Sequence, residues 1–401
     1  MFNKTKNVYD FTFVLPGFTF TPPGGYLVVL ELANYLLDNG QKVCVIFLED
    51  IENGLFKITN DDALKTLKLS TKYKVYKKLP GKLVIEIVIF LLNTKLGGLL
   101  KKFLTVREEF ISTFKAEIKH YKVCKSIPKG LKTKRIVATA WQTAYFVNLF
   151  SGCNLKYYLV QHGEDDFSFS GFQSGLARNS YSFKLKKIVI NKLMMERFKD
   201  ENPVKITVTA HIKGRVKFKP EDRRKKIILV QLRSGADKGA DIAIDAAKLV
   251  NSYDPNIEFI SYGNYIGYIP SFINHQGYVS DHRYVELFNV ASIFILPSRV
   301  EGFSTPVLEA MSCGCVPIAT KCGGPEEMIE HMFNGILVPV NDPKSIAEQI
   351  LWLIDHDEMR ITMAYNAVST SQNYSKEKMG YEFITGITKY EDEALGVHNA
   401  L

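Results

Sequence analysis

Short apolar runs and helical apolar stripes alternate along this chain. Continuous runs at Tyr9–Leu15 and Lys42–Leu48 bracket Gly25–Asn39, where Val29, Leu32, Ala33, Leu36 and Leu37 recur at helical spacing before Gly40 ends the pattern. That is a strand–helix–strand opening. Further runs at Arg135–Ala140, Tyr157–Val160, Leu185–Ile190 and Val204–Thr209 read as strands buried on both faces, as in a parallel sheet. The segment His211–Arg224 is basic and poor in large apolar residues, and after it the series restarts. Strands are predicted at Lys226–Gln231, Ile257–Ser261, Ser292–Leu296, Cys315–Ala319 and Gly335–Val338, with amphipathic helical stretches between them. The expected class is α/β: two doubly wound, Rossmann-like domains facing an interdomain cleft. Residues 1–212 form the first, 213–224 the linker and 225–375 the second. Ligands of such sheets bind outside the carboxyl ends of the strands.

Composition narrows the class further. The 401 residues are 46% hydrophobic and 23% charged, ordinary globular proportions that exclude a disordered, collagen-like or membrane-embedded chain. The longest apolar run, Leu83–Leu92, contains Glu86 and falls short of the roughly 20 residues that span a bilayer. Pro16, Gly17, Pro22 and Pro23 break the apolar stretch near the start, so no signal peptide is expected. Six scattered cysteines without a C-x-x-C pair point to a reducing cytoplasm rather than a disulfide framework or zinc site.

The net charge of +9 hides an asymmetry. Residues 1–220 carry 36 Lys and Arg against 18 Asp and Glu, whereas the remainder carries 15 against 24. Between Lys65 and Arg107 eleven basic residues meet one acid, Glu86, and alternate with apolar stretches, the pattern of a segment that settles on an anionic membrane. Lys72, Lys74, Lys77 and Lys78 are its densest patch and would face a membrane or an anionic acceptor. A solvated Lys-rich helical face is the plainer account. Aromatic residues suited to base stacking are few there, chiefly Tyr73, Tyr76 and Phe103, so nucleic acid is not the expected partner.

The chemistry-bearing stretch is PSRVEGFSTPVLEAMSCG, Pro297–Gly314, where a strand passes through a short loop into a helix with Thr305 as expected cap and Pro306 as first residue. Backbone amides around Phe303–Thr305 would favour an anion such as phosphate. Glu301 before the loop and Glu309 about one turn inside the helix bracket that position and suit hydroxyl groups beside a phosphate. Either alone would read as an acid complementing the helix dipole. Arg233 and Lys238 fall in the turn after the second domain's first strand and could neutralise a diphosphate. Gly24-Gly25 permits close backbone approach at a helix start, and His162 is expected at the carboxyl end of a strand. Glu164, Asp165 and Asp166 after it could orient hydroxyls, though an exposed acidic turn explains them more simply. Neither a G-x-G-x-x-G nor a Walker motif occurs, and no cluster has metal-ligand spacing; Asp355-His356-Asp357 reads as a turn between helices.

These residues resemble the retaining GT-B glycosyltransferases of family GT4. The likeness rests on GGYLVVLELANYLLDNGQKVCVI, on Arg233 with Lys238, on GYVSDHRYVELFNVASIFILPSRVEGFSTPVLEAMSCGCVPIAT and on GGPEEMIEHMFNGILVPVNDPKSIAEQI. It is close from about Lys226 to Leu353 and patchy before. It implies that Glu301 contacts donor-sugar hydroxyls, that Gly302, Phe303, Ser304 and Thr305 contact sugar and phosphate through their backbone, and that Glu309 holds the ribose. Arg233 and Lys238 would hold the diphosphate, Gly25 would border it, and His162 would lie beside the transferring sugar. The implied reaction moves a sugar from a nucleotide-diphosphate sugar, a co-substrate, to an acceptor hydroxyl with retention and without metal or other cofactor. A glycan or lipid-linked acceptor at the inner face of the membrane is the expected partner. In this fold a C-terminal helix, here within 376–401, crosses back to the first domain. The linker lacks the family's usual Pro-Asn-Gly, and Lys57–Lys134 matches no known acceptor pocket. A nucleotide-sugar epimerase or phosphorylase of the same architecture, and a non-catalytic nucleotide-sugar sensor with an anionic-surface-binding half, are the competing readings.

Overall fold

The computed structural model describes residues 8–17, 24–48, 121–124, 126–165, 171–210 and 226–395. The Lys65–Arg107 window with Lys72, Lys74, Lys77 and Lys78, the linker 213–224 and Asp166 lie outside them. In the first domain, strands β1 (Tyr9–Pro16), β2 (Val43–Leu48), β3 (Tyr121–Cys124), β4 (Thr133–Ala138), β5 (Leu155–Val160), β6 (Lys186–Val189) and β7 (Val204–Lys205) form one sheet in the order β3-β2-β1-β4-β5-β6-β7. In the second, β8 (Ile227–Gln231), β9 (Glu258–Tyr262), β10 (Ile273–His275), β11 (Ile293–Leu296), β12 (Val316–Thr320) and β13 (Ile336–Val338) follow the order β10-β9-β8-β11-β12-β13. Every pairing is parallel. In both sheets the order reverses beside the first strand, which opens a crevice at its carboxyl end.

Helix α1 (Gly24–Asp38) buries Val29, Leu32, Ala33 and Leu36 on the first sheet, the face that the spacing predicts. The strands fall within a residue or two of their expected places, with three differences. β3 and β10 were not expected: they are edge strands of four and three residues, and each carries polar side chains that break the apolar run. The run expected at Val204–Thr209 pairs only over Val204–Lys205. Beyond it Ile206, Val208 and Ala210 are still buried, so their apolar character reports packing rather than a ladder.

Helices α2 (Trp141–Leu149), α3 (Gly171–Ser180) and α4 (Lys192–Arg197) belong to the first domain. The second has α5 (Ala240–Tyr253), α6 (Asp281–Val290), α7 (Thr305–Ser312), α8 (Pro343–Asp355) and α9 (Asp357–Ser371). The last helix, α10 (Lys376–Leu395), returns to the first domain. Its Phe383 ring lies 5.6 Å from Phe11 and 6.2 Å from Phe13. Near its end, Arg135 grips Glu391 with two hydrogen bonds of 2.6 Å, and Tyr157 Oη adds one of 2.5 Å. Burial alone would raise the Glu391 pKa; these donors hold it below the usual carboxylate range. The crossing helix is therefore fastened by packing and by a charge pair whose partners would be costly to bury singly.

Candidate active site

In the second domain, the turn after β8 and the loop after β11 are locked together. A Cβ on Gly239, whose φ is +63°, would lie 2.0 Å from the Pro297 carbonyl oxygen, so only glycine lets the two segments meet. Arg299 adds its backbone N–H to Asp237 O at 2.7 Å and its guanidinium to Asp241 at 3.1 and 2.7 Å. The result sets Lys238 Nζ 3.1 Å from Glu301 and 3.1 Å from Asp237. Ser298 Oγ donates to the same Glu301 oxygen at 2.7 Å. The expected cation and carboxylate thus share one place, with the ammonium bridging two carboxylates. Arg233 is exposed, beside Gly263 just past β9.

The start of α7 differs from expectation. Ser304, not Thr305, is the cap residue; it takes φ +69°, and Thr305 is the first helical residue. A left-handed non-glycine residue costs of the order of 1 kcal/mol or more, strain of the kind that collects at ligand sites. No side chain caps this helix end. The buried Phe303 ring packs on Tyr374, 5.9 Å away, so this residue can offer a ligand only its backbone. Glu309, 4% exposed, receives the Tyr284 hydroxyl at 2.5 Å on Oε2.

The first domain supplies the facing wall. An added Cβ on Gly24 would meet Thr305 Oγ1 at 3.4 Å, so the amino ends of α1 and α7 oppose each other across the cleft. Gln161, just past β5, donates to Gly25 O at 3.1 Å. A Cβ on Gly302 would lie 2.6 Å from Gln161 O and 2.8 Å from His162 Cβ; the loop after β11 touches first-domain backbone there. Asn191 Nδ2 donates to Gly302 O at 2.7 Å, while Oδ1 of the same side chain caps α4 through the Met194 N–H. Glu327 accepts from the Lys192 N–H and pairs with Lys205 at 3.1 Å. His162 is pushed down to about 4 by burial, then by the Lys238 ammonium, and so is a neutral imidazole near pH 7.

Gly25, His162, Lys238, Glu301, Gly302 and Thr305 therefore converge, and Glu309 stands one turn deeper. The acidic turn is a correction: Glu164 is 3% and Asp165 8% exposed. Glu164 accepts the Trp141 N–H at 2.5 Å and the Tyr158 hydroxyl at 3.0 Å, stapling the start of α2, and burial pushes its pKa up to about 8. Asp165 receives both guanidinium nitrogens of Arg197 at 2.8 and 2.6 Å. Sequence reasoning missed Gln161, Asn191, Ser298 and Tyr284. Asn191 was legible as a helix cap, but nothing local shows that its amide reaches the other domain. Among the described residues no group of three or more His, Cys, Asp or Glu is arranged to hold a metal ion, and no helix is long and apolar enough to cross a membrane. Asp357 of the D-x-D pairs with Arg360 at 2.8 Å beside the α8–α9 junction.

Residues 215–370 match the family model described as glycosyl transferases group 1. An uncharacterized glycosyltransferase of Methanocaldococcus jannaschii is 32% identical over 164 residues, 39% of this chain and 45% of that protein. The N,N'-diacetylbacillosaminyl-diphospho-undecaprenol alpha-1,3-N-acetylgalactosaminyltransferase of Campylobacter jejuni is 31% identical over 100 residues, 25% of this chain and 27% of that one. The chain thus spans less than half the length of either relative. Among solved structures, Anabaena HepE in complex with UDP and glucose superposes with a TM-score of 0.65 over 94% of this chain and 99% of that one, at 16% identity. Its likeness covers nearly the whole chain, whereas the family model matches residues 215–370. The second domain thus matches the glycosyl transferases group 1 family over residues 215–370, and the chain has the GT-B fold.

Proposed function

We propose that this chain is a retaining, metal-independent glycosyltransferase that moves a sugar from a nucleoside diphosphate sugar to a hydroxyl of a glycan or lipid-linked acceptor. One observation carries the reading: two opposed helix amino ends, the Lys238 ammonium, Glu301 and a neutral His162 meet at the carboxyl ends of both sheets. The helix ends and Lys238 favour the diphosphate, which takes the ammonium from its present carboxylate partners. Glu301, released from that pairing and still held by Ser298, accepts donor-sugar hydroxyls. Glu309, at the far side of the loop, accepts from the ribose. The structural neighbour crystallised with UDP and glucose, and the relatives named for sugar transfer, support a donor of this class.

In the reaction, the bond between the anomeric carbon and the diphosphate oxygen breaks. The acceptor oxygen bonds to that carbon on the same face, and its proton passes to the departing phosphate. Lys238 and the α7 amides stabilise the charge that grows on the diphosphate. A neutral His162 can hydrogen-bond the sugar without adding a cation that would oppose positive charge at the anomeric carbon.

The test is a binding screen of UDP-, GDP-, dTDP- and CMP-sugars, followed by turnover of the best binder with glycan and lipid-linked acceptors. Transfer with retained configuration, undiminished by EDTA, is expected. Loss of activity in EDTA with recovery in Mg²⁺ or Mn²⁺ would overturn metal independence. Accumulation of an epimerised free donor would replace transfer by epimerisation.

A further inference from the structure

Behind Glu309 lies an aromatic wall that the reaction scheme leaves unused. Tyr284 on α6 packs edge-on to Tyr262 at the end of β9, with ring centroids 5.2 Å apart at 90°, and 4.9 Å from Phe288. Phe288 in turn lies 5.2 Å from Phe294 of β11. These contacts fix the Tyr284 ring, and its hydroxyl donates to Glu309 Oε2 at 2.5 Å. Burial first, and then the neighbouring Glu309 carboxylate, lift Tyr284 well above the ordinary tyrosine range, so its hydroxyl stays a donor at every working pH.

We propose that Tyr284 is a positioning residue for the nucleotide end of the donor: it pins one oxygen of Glu309 and thereby aims the carboxylate at the ribose hydroxyls. This rests on the reading that Glu309 holds the ribose. Glu309 is an almost fully buried carboxylate, and such a group is tolerated only when its acceptor capacity is met. Tyr284 meets part of it from the protein side, in one orientation, because the ring cannot turn within its aromatic neighbours. The cleft side then receives a carboxylate of fixed aim rather than a mobile one. A site built this way discriminates against a nucleotide that lacks the matching hydroxyl, because a carboxylate of fixed aim loses the hydrogen bond it is placed to accept. The donor it selects is a ribonucleoside diphosphate sugar.

The experiment measures affinity, by calorimetry, for the tightest-binding of UDP, GDP and ADP and for its 2′-deoxy and 3′-deoxy forms, using wild type and Tyr284→Phe. The substitution removes one hydroxyl oxygen and keeps the ring, and a thermal melt confirms that the variant folds. Wild type should lose about tenfold or more when a hydroxyl is deleted. Tyr284→Phe should bind the ribonucleotide more weakly and lose less than about threefold on the same deletion. A variant that weakens ribo and deoxy forms by the same factor would assign Tyr284 a purely structural role and leave Glu309 as the ribose ligand. Equal binding of all three nucleotides by wild type would overturn the ribose reading of Glu309 itself, and this inference with it.

Discussion

The two domains reach one cleft by opposite routes. The second delivers Glu301, Gly302, Thr305 and Glu309 from a single strand–loop–helix, with Lys238 from the turn after β8, the strand that pairs with β11. The first delivers Gly25, Gln161, His162 and Asn191 from separate strand ends, and the Gly25–Gln161 contact alone joins residues 136 apart in sequence. The charges differ as well. The second domain pairs its cleft cation with nearby acids, Lys238 with Asp237 and Glu301, whereas residues 1–220, the first domain with most of the linker, carry 36 basic against 18 acidic residues. A contiguous segment can hold a donor by local geometry. A dispersed set can act only once a whole sheet has formed, which suits the wall that closes against it.

The comparison breaks most sharply at Gly302, where the domains touch. Gly302→Ala puts a methyl group 2.6 Å from a first-domain carbonyl, and misplacement of about 1 Å costs on the order of a hundredfold in rate. Turnover should fall by that much while nucleotide affinity changes little; a drop in affinity alone would show that the contact is not needed for catalysis. Next is the second domain's own share. Lys238→Ala should weaken nucleoside diphosphate binding about ten- to a hundredfold, since hydrogen bonds to charged groups are worth roughly 1.5–3 kcal/mol. Glu301→Ala and His162→Ala should act mainly on turnover, and unchanged affinity in folded Lys238→Ala would remove the turn after β8 from the site.

A smaller effect separates structure from chemistry within the first domain. Glu164 is raised to about 8 when folded, well above an ordinary carboxyl, so the folded state holds a proton that the unfolded state has lost. Its contribution is full below about pH 4.5 and is lost as pH rises through about 8, with a slope approaching 1.4 kcal/mol per pH unit in between. Glu164→Gln should flatten that part of the stability profile, measured by urea unfolding from pH 5 to 9. Parallel profiles would mean that Glu164 is charged in the folded protein. The last expected effect concerns the basic surplus. Co-sedimentation with anionic vesicles should exceed that with neutral ones, fall with salt, and diminish when Lys72, Lys74, Lys77 and Lys78 become Glu, each contributing about 1 kcal/mol near the surface. Equal binding to both vesicle types would leave an anionic glycan as the partner of that patch.

Legibility followed sequence distance. Lys238 and Glu301 were both placed at one ligand because each ends a short βα segment of recognisable form. Tyr284 carries no local signal of its role, since periodicity marks burial and not what a hydroxyl touches. The acidic turn after His162 was misjudged because the Trp141 amide that Glu164 caps arrives from 23 residues away.

By itself the sequence determined the alternation of strands and helices, and with it two parallel sheets whose crevices hold ligands, because burial periodicity is local. It also marked the strand–loop–helix at Pro297–Gly314 as chemistry-bearing, because helix starts, glycines and carboxylates act there over a few residues. Only the tertiary structure decided that Gly302 rests on Gln161 and His162, that Asn191 joins the two domains, that Glu391 fastens the last helix to the first sheet, and that Tyr284 stands behind Glu309. Each of those contacts joins segments held by different elements, and hydrogen bonds over less than 3.5 Å depend on packing that no local pattern encodes.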